Sequence, residues 1–425
     1  MLRESLAEDL RADEVAPGLV RPAWSDYCFA NVPDTVRSLF GTDARRPLPA
    51  DALDGIDGSV EHVVCVWIDG FGWNHLRRVR PDHPFLDELA DRATVTPLTS
   101  TYPSETAAAV STFHTATQPV EHGVLGWFAH EERLGGNLQT LPFADLDGEV
   151  LESVLVDPDP SVLIDERPIY ETLPADSYLV APEGQGETRF SAQTTTGATP
   201  VDFRNVAQGA YRVRERLESA EGPTFVQLYV PQVDTLSHHS GVRHPETDAQ
   251  LAAVCAAVRR EIVERLDPDL AARTAFLLTA DHGEVDATPE TTVALDGLDL
   301  EPHLERDADG APIPAQGGPR NLQFHARTGH RDRLVAELER GLAPLDPLVL
   351  TGGEVREAEL FGDCEPSDRF ERRRPDVLAV PREGFAWYEA EDADGHLSYV
   401  GMHGGMHEDE TLVPFAAAAV SDLQG

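Results

Sequence analysis

Three aspartates and three histidines recur along the chain in an order that suits metal chemistry. Asp69 closes the apolar run Val63–Ile68 and is followed by Gly70. Asp234 and His238 stand four apart in Asp-Thr-Leu-Ser-His, which on a helical turn puts both side chains on one face. Asp281 and His282 are adjacent, ahead of Gly283, after the apolar run Ala275–Leu278. His403 lies in Gly401-Met402-His403-Gly404-Gly405, where glycines let backbone come close. Mixed carboxylate and imidazole ligands suit zinc, manganese or iron(II) better than calcium. Each piece alone is commonplace, and His114, His130, His239 and His325 are read as ordinary hydrogen-bonding histidines. The combined order, D-G, D-x-x-x-H, D-H-G and H-G, carries the weight.

A nucleophile is sought in Thr99–Trp127, TSTYPSETAAAVSTFHTATQPVEHGVLGW. Pro103 breaks the chain, Ser104 is a candidate N-cap, and the alanine-rich run from Thr106 favours a helix. A hydroxyl in the first turn of a helix meets free backbone N–H groups and the positive dipole end, which favour phosphate. A bound cation could lower the pKa of that hydroxyl. Thr106 as a mere early helix residue is the bland alternative.

Other motifs are set aside. Gly184-Gln185-Gly186 begins a G-x-G-x-x-G, but Arg189 takes the last glycine position. Glu305–Gly310 and Glu391–Gly395 mimic calcium loops and read as hairpin turns. No G-x-S-x-G elbow is present.

The elements that must hold these residues alternate. Apolar runs at Val63–Ile68, Phe225–Val230, Ala275–Leu278, Val377–Val380 and Val413–Val420 are separated by helical stretches at Thr106–Phe113, His244–Leu266 and Arg331–Leu342. This predicts an α/β fold, a doubly wound, mostly parallel sheet sandwiched by helices, with ligands outside the carboxyl ends of the strands. Three runs deliver an aspartate at that end. Residues 1–60 read as a lead-in packed on the core, 61–285 and 376–425 as the catalytic core, and 286–375 as an inserted cap.

Composition narrows the chemistry. The 34 basic residues are all arginine against 75 acidic ones, a formal charge of −41 over 425 residues. Without lysine there can be no P-loop, no protein kinase and no pyridoxal-phosphate Schiff base. The acidity argues against binding nucleic acid or anionic membranes. Hydrophobic residues at 41% allow a buried core, so an acidic disordered chain is excluded. The balance resembles that of salt-in halophiles. An acidic N-terminus without an apolar h-region, no long apolar run, and four dispersed cysteines predict a cytoplasmic protein with free thiols. Oligomeric state is not readable.

The constellation resembles the alkaline phosphatase superfamily, most closely its type I phosphodiesterase/nucleotide pyrophosphatase branch. The resemblance covers about 61–285 and 374–425. It implies an alkaline phosphatase-like α/β core, two divalent cations, usually zinc with manganese or iron as alternatives, and a threonine nucleophile in Pro103-Ser104-Glu105-Thr106, followed by Pro119 and His122-Gly123. Ungapped matching puts the nucleophile at Thr106, with Thr101 the less favoured register. It implies Asp69, Asp281 and His282 with Thr106 around one metal, and Asp234, His238 and His403 around the other. Where nucleotide pyrophosphatases carry a phosphate-binding asparagine, this chain has Trp127. The Cys-x-Pro-x-Arg element of sulfatases is absent. The expected activity is hydrolysis of a phosphodiester or pyrophosphate bond, in a small phosphorylated substrate such as a nucleotide, through a covalent threonine intermediate. A phosphomonoesterase, a phosphoryl-transferring mutase or a non-catalytic metal-stabilised binding protein are the alternatives. Trp127, Arg189 and Arg320 are the candidate substrate determinants, with an ordinary surface guanidinium the bland reading of each arginine.

Overall fold

A computed structural model describes residues 2–56, 60–389 and 396–424. The turn expected at Glu391–Gly395 lies outside the described residues.

Four of the five apolar runs become the centre of a seven-stranded sheet. Its strands are β1 (His62–Ile68), β2 (Thr94–Thr99), β3 (Asp176–Pro182), β4 (Ala198–Phe203), β5 (Thr224–Val230), β6 (Thr274–Thr279) and β7 (Leu412–Ala419), in the spatial order β2-β7-β6-β1-β5-β3-β4. Every residue of β1 is buried, as a strand covered by helices on both faces requires. It pairs in parallel with β5 and β6, Ile68 opposite Val230 and Trp67 opposite Thr279. Only β7 runs antiparallel, between β2 and β6. The doubly wound α/β expectation therefore holds. Because β6, β1 and β5 are neighbours, their carboxyl ends set Asp281, Asp69 and the start of the following helix side by side. That helix is α2 (Gln232–Ser240), and the helix after β2 is α1 (Thr106–Thr115).

A second, antiparallel seven-stranded sheet lies outside this core. It joins Leu348–Thr351, Val377–Val380, Asn321–Phe324, Gln316–Gly318, Phe128–Glu131, Gly136–Gln139 and Ala144–Asp145, in that order. Val377–Val380, read as one of the core-sheet runs, pairs here with Leu348–Thr351 and Asn321–Phe324. A four-residue apolar run fixes burial but not which sheet buries it, and long-range pairing decided the matter. The layer is packed by Leu334, Leu338 and Leu342 of the 331–342 helical region and by Phe128 stacked on Trp387 at 4.4 Å. The Glu305–Gly310 segment forms the expected hairpin turn, the Asp307 carboxylate accepting the N–H groups of Asp309 and Ala311. All four cysteines are free thiols. Among the described residues, no helix is long and apolar enough to cross a membrane.

Candidate active site

At the carboxyl edge of β6, β1 and β5 the structure gathers Asp69, Thr106, Asp234, His238, Asp281, His282 and His403. His282 Nε2 lies 3.1 Å from Thr106 Oγ1, 3.3 Å from Asp69 Oδ1 and 3.4 Å from Asp281 Oδ2. Asp234 Oδ1 lies 3.3 Å from His238 Nε2 and 3.6 Å from His403 Nε2. The His282 and His403 rings stack at 3.6 Å, so the two groups of ligands are contiguous. Asp234 is their hub, sharing one compact group with His282 and His403 and another with His238 and Glu284.

Each imidazole is oriented by the backbone. His238 Nδ1 stands 2.8 Å from Gly401 O, His403 Nδ1 2.9 Å from Ser104 O, and His282 Nδ1 3.1 Å from Gly283 O. A carbonyl only accepts, so in each ring Nδ1 carries the proton and donates it. Nε2 then faces the site, as a metal-ligating histidine requires. The carboxylates are left wanting: Asp69 Oδ1, Asp234 Oδ1, both Asp281 oxygens and Glu284 Oε2 are buried and receive no hydrogen bond among the described residues.

The electrostatics agree. Burial, then the nearby Asp281 and Asp234, push the Asp69 carboxyl well above the ordinary range, while the Tyr229 hydroxyl donates to its Oδ2. Burial opposes ionisation of Asp234, but His238, His403 and His282 outweigh it and hold the carboxyl low. Burial alone would lower His238, yet Asp234 and Glu284 raise it to about 10. Burial drives His403 well down, helped by His282. The site is a sink for positive charge.

Divalent cations fit these residues. Two ligands about 2.0–2.1 Å from a tetrahedral ion stand about 3.3 Å apart. The Thr106–His282, Asp69–His282, Asp281–His282 and Asp234–His238 separations run from 3.1 to 3.4 Å.

Thr106 is the first residue of α1, and the first helical N–H with an intrahelical acceptor is that of Ala109, on Glu105 O. The N–H groups before it are thus free for an anion. Thr101 is different: its hydroxyl donates to Pro103 O at 2.9 Å inside the preceding turn. Ser104 ties the turn to the His403 loop, donating to Gly405 O while its own carbonyl receives His403.

A cleft of about 410 Å³ opens from Asp69, Thr106 and Asp234. Its walls include Trp127, Leu141, Pro142, Leu179, Val180 and Tyr229, and, among the described residues, no arginine. Trp127 therefore stands where it can touch substrate, its N–H donating to Glu105 Oε2 at 2.7 Å and its indole to Gln139. Burial pushes Glu105 up to about 8. The two arginines do not reach the cleft. Arg189 pairs with Asp157 and Glu152, and Arg320 is fully buried against Glu410. Neither pairing has a sequence signal, since the partners lie far along the chain. Glu284 and Tyr229 are the site residues that sequence spacing missed.

The doubly wound sheet places a threonine at a helix start among carboxylates and imidazoles, an arrangement suited to chemistry on phosphoryl groups. The chain belongs to the family described as Type I phosphodiesterase / nucleotide pyrophosphatase, whose profile matches residues 63–406, and is a phosphoryl hydrolase. Solved structures share the fold. Murine ectonucleotide pyrophosphatase/phosphodiesterase 5, an inactive threonine-to-alanine variant in complex with AMP, is 16% identical with a TM-score of 0.61, over 85% of this chain and 92% of that one. The human counterpart gives the same values. Phosphonoacetate hydrolase from Sinorhizobium meliloti 1021, in complex with phosphonoformate, is 16% identical with a TM-score of 0.58, over 88% and 96%. No curated protein matches in sequence.

Proposed function

We propose that the chain hydrolyses phosphodiester or pyrophosphate bonds through a covalent intermediate on Thr106. The carrying observation is Thr106 Oγ1 at a helix start, 3.1 Å from His282 Nε2 and lining the cleft. Asp69, Asp281, His282 and Thr106 would hold one divalent cation, and Asp234, His238 and His403 the other. Zinc, manganese and iron(II) all suit this set. Bound there, the pair would supply the Lewis acidity that makes the hydroxyl ionise and neutralises the phosphoryl oxygens.

Thr106 loses its proton to solvent and its Oγ1 forms the new bond to phosphorus. The bond to the leaving oxygen breaks, and that oxygen takes up a proton. Water then cleaves the Oγ1–phosphorus bond and restores the hydroxyl. The N–H groups at the start of α1 receive the developing negative charge. Trp127 and the apolar walls hold the leaving group, which therefore needs no cationic partner. The AMP and phosphonoformate complexes of the structural relatives support a small phosphorylated substrate, and the inactivity of the murine threonine variant supports a threonine nucleophile. Residues 286–375, with the 331–342 helical region, would form the inserted cap. The acidic surface suits a cytoplasm in molar salt.

The test compares bis(4-nitrophenyl) phosphate with 4-nitrophenyl phosphate in molar KCl. The diester should turn over faster; faster monoester hydrolysis would establish the phosphomonoesterase alternative. Thr106→Ala should lose at least about 10³-fold in turnover, the scale of losing a nucleophile, with both ions still bound. Thr101→Ala should stay near wild type. The reverse pattern would move the nucleophile to Thr101.

A further inference from the structure

Glu284 follows Asp281-His282-Gly283, where an acidic residue reads as part of a turn. The structure instead buries it to 3% exposure, behind the site. One oxygen, Oε1, receives the Ser237 hydroxyl from α2, and the other, Oε2, receives no hydrogen bond among the described residues. Its charged neighbours are His238 and Asp234.

The backbone is shaped around this carboxylate. A Cβ at Gly401 would lie 2.4 Å from Oε2, and a Cβ at Gly70 would lie 2.9 Å from Oε1. Both glycines belong to segments that position the candidate ligands. Gly70 follows Asp69, and the Gly401 carbonyl receives the Nδ1 proton of His238. Two missing side chains thus leave room for a carboxylate against His238. A buried carboxylate oxygen with neither a hydrogen-bond donor nor a cation, as at Oε2, is strongly unfavourable, because burial strips its hydration. Glu284, Asp234 and His238 present ligand atoms within 4.8 Å of one another, as compactly as Asp69, Asp281 and His282 do.

We propose that Glu284 is a fourth protein ligand of the centre formed by Asp234, His238 and His403. The proposal rests on the two-cation reading above. It changes the chemistry of that centre. Two carboxylate oxygens and two imidazole nitrogens, joined by a substrate oxygen, give at least five donors. Zinc favours four, whereas manganese(II) and iron(II) accept five or six and tolerate more oxygen. The charge also balances. Asp69, Asp281, Asp234 and Glu284 offset two divalent cations charge for charge while Thr106 keeps its proton.

The competing role for Glu284 is a protonated carboxyl that donates a hydrogen bond to Asp234. Glu284→Gln separates the two, since an amide keeps the shape and the donor but cannot ligate as an anion. Full-length wild type, Glu284→Gln and Glu284→Asp are stripped of metal in molar KCl and reloaded with cobalt(II) or manganese(II). Bound metal is counted by elemental analysis, affinity is read by chelator competition, and cobalt absorption reports coordination number. Near-ultraviolet circular dichroism checks folding.

Wild type should hold two ions. Glu284→Gln should hold one as tightly and the other about 10- to 100-fold more weakly, the range for lost metal-site support. Its cobalt bands should intensify as a five-donor centre moves toward tetrahedral. Glu284→Asp, keeping the charge, should recover part of the affinity. A Glu284→Gln protein with wild-type affinities and an unchanged cobalt spectrum would overturn the proposal and leave the two-cation reading standing. A folded wild type that binds no divalent ion would overturn both.

Discussion

Buried histidines outside the ligand set make the stability of this chain depend on pH. Burial lowers His114 and His122 to about 3 from an ordinary value of 6.5. Their partners explain how they stay neutral: His114 Nδ1 meets the Tyr170 hydroxyl at 2.5 Å, and His122 Nδ1 accepts the Val124 N–H at 3.0 Å. In the unfolded chain both rings protonate near 6.5, while the folded chain resists until about 3. Between those values the unfolded state binds more protons, so stability is complete above pH 6.5 and declines as pH falls toward 3. Each group contributes a slope of up to about 1.4 kcal/mol per pH unit. Urea unfolding of His114→Asn between pH 7 and 4 should show the shallower decline, because an asparagine amide can still donate to the Tyr170 oxygen, whose own proton goes to Gln227, without titrating. Parallel curves for variant and wild type would refute the assignment.

Among the elements, the best-read parts were those where local pattern and long-range position coincide. The runs that became β1, β5 and β6 are predominantly apolar, broken only by Gln227 in β5, and each leads to an aspartate, so strand and ligand were legible together. Asp234 and His238 were legible because a helical turn sets their spacing, and they do face one another on α2. Strand β4 at the sheet edge and its neighbour β3, ATPVDF and DSYLVAP, were not, since partly exposed strands toward an edge carry polar residues and proline. The second sheet was hidden because its strands are two to four residues long and its two halves meet only through Gly317 opposite Phe128, far apart in the chain. Glu284 was hidden because only the space left by Gly70 and Gly401 distinguishes it from a turn acid. Arg320 was misread for the same kind of reason. It follows the Gln316–Gly318 strand and ion-pairs with Glu410, which also receives the Gly405 N–H of the His403 loop. Arg320 also donates to the carbonyls of Pro381 and Gly384, so it joins the second sheet to the active-site loop. Arg320→Met should leave Glu410 buried and unpaired, costing about 3–5 kcal/mol. Denaturant midpoints would measure this, and Arg320→Met/Glu410→Gln should recover part of the loss. A single variant as stable as wild type would show that the pair holds nothing together.

At the scale of the whole molecule the question is why a chain charged to −41 stays folded. Even if every arginine took one carboxylate, 75 − 34 = 41 acidic groups would remain unpaired. Exposed pairs such as Arg204 with Glu183 at 3.0 Å add little individually. The remaining charges repel across the surface and favour the expanded chain. Salt sets how far that repulsion reaches: about 10 Å at 0.1 M and about 3 Å at 1 M. Unfolding midpoints should therefore rise steadily from 0.1 M toward 3 M KCl, most steeply at the low end, where the screening length falls below the spacing of surface charges. The candidate metal centre should respond differently, because buried charges are screened much less. Once the chain is folded, the affinity for divalent ions should change far less with KCl than stability does. Sucrose at matched osmolality separates screening from general exclusion of solutes, since it strengthens burial without screening charge. A midpoint indifferent to KCl, or one raised as much by sucrose, would mean that the acidic surface is not what salt acts on.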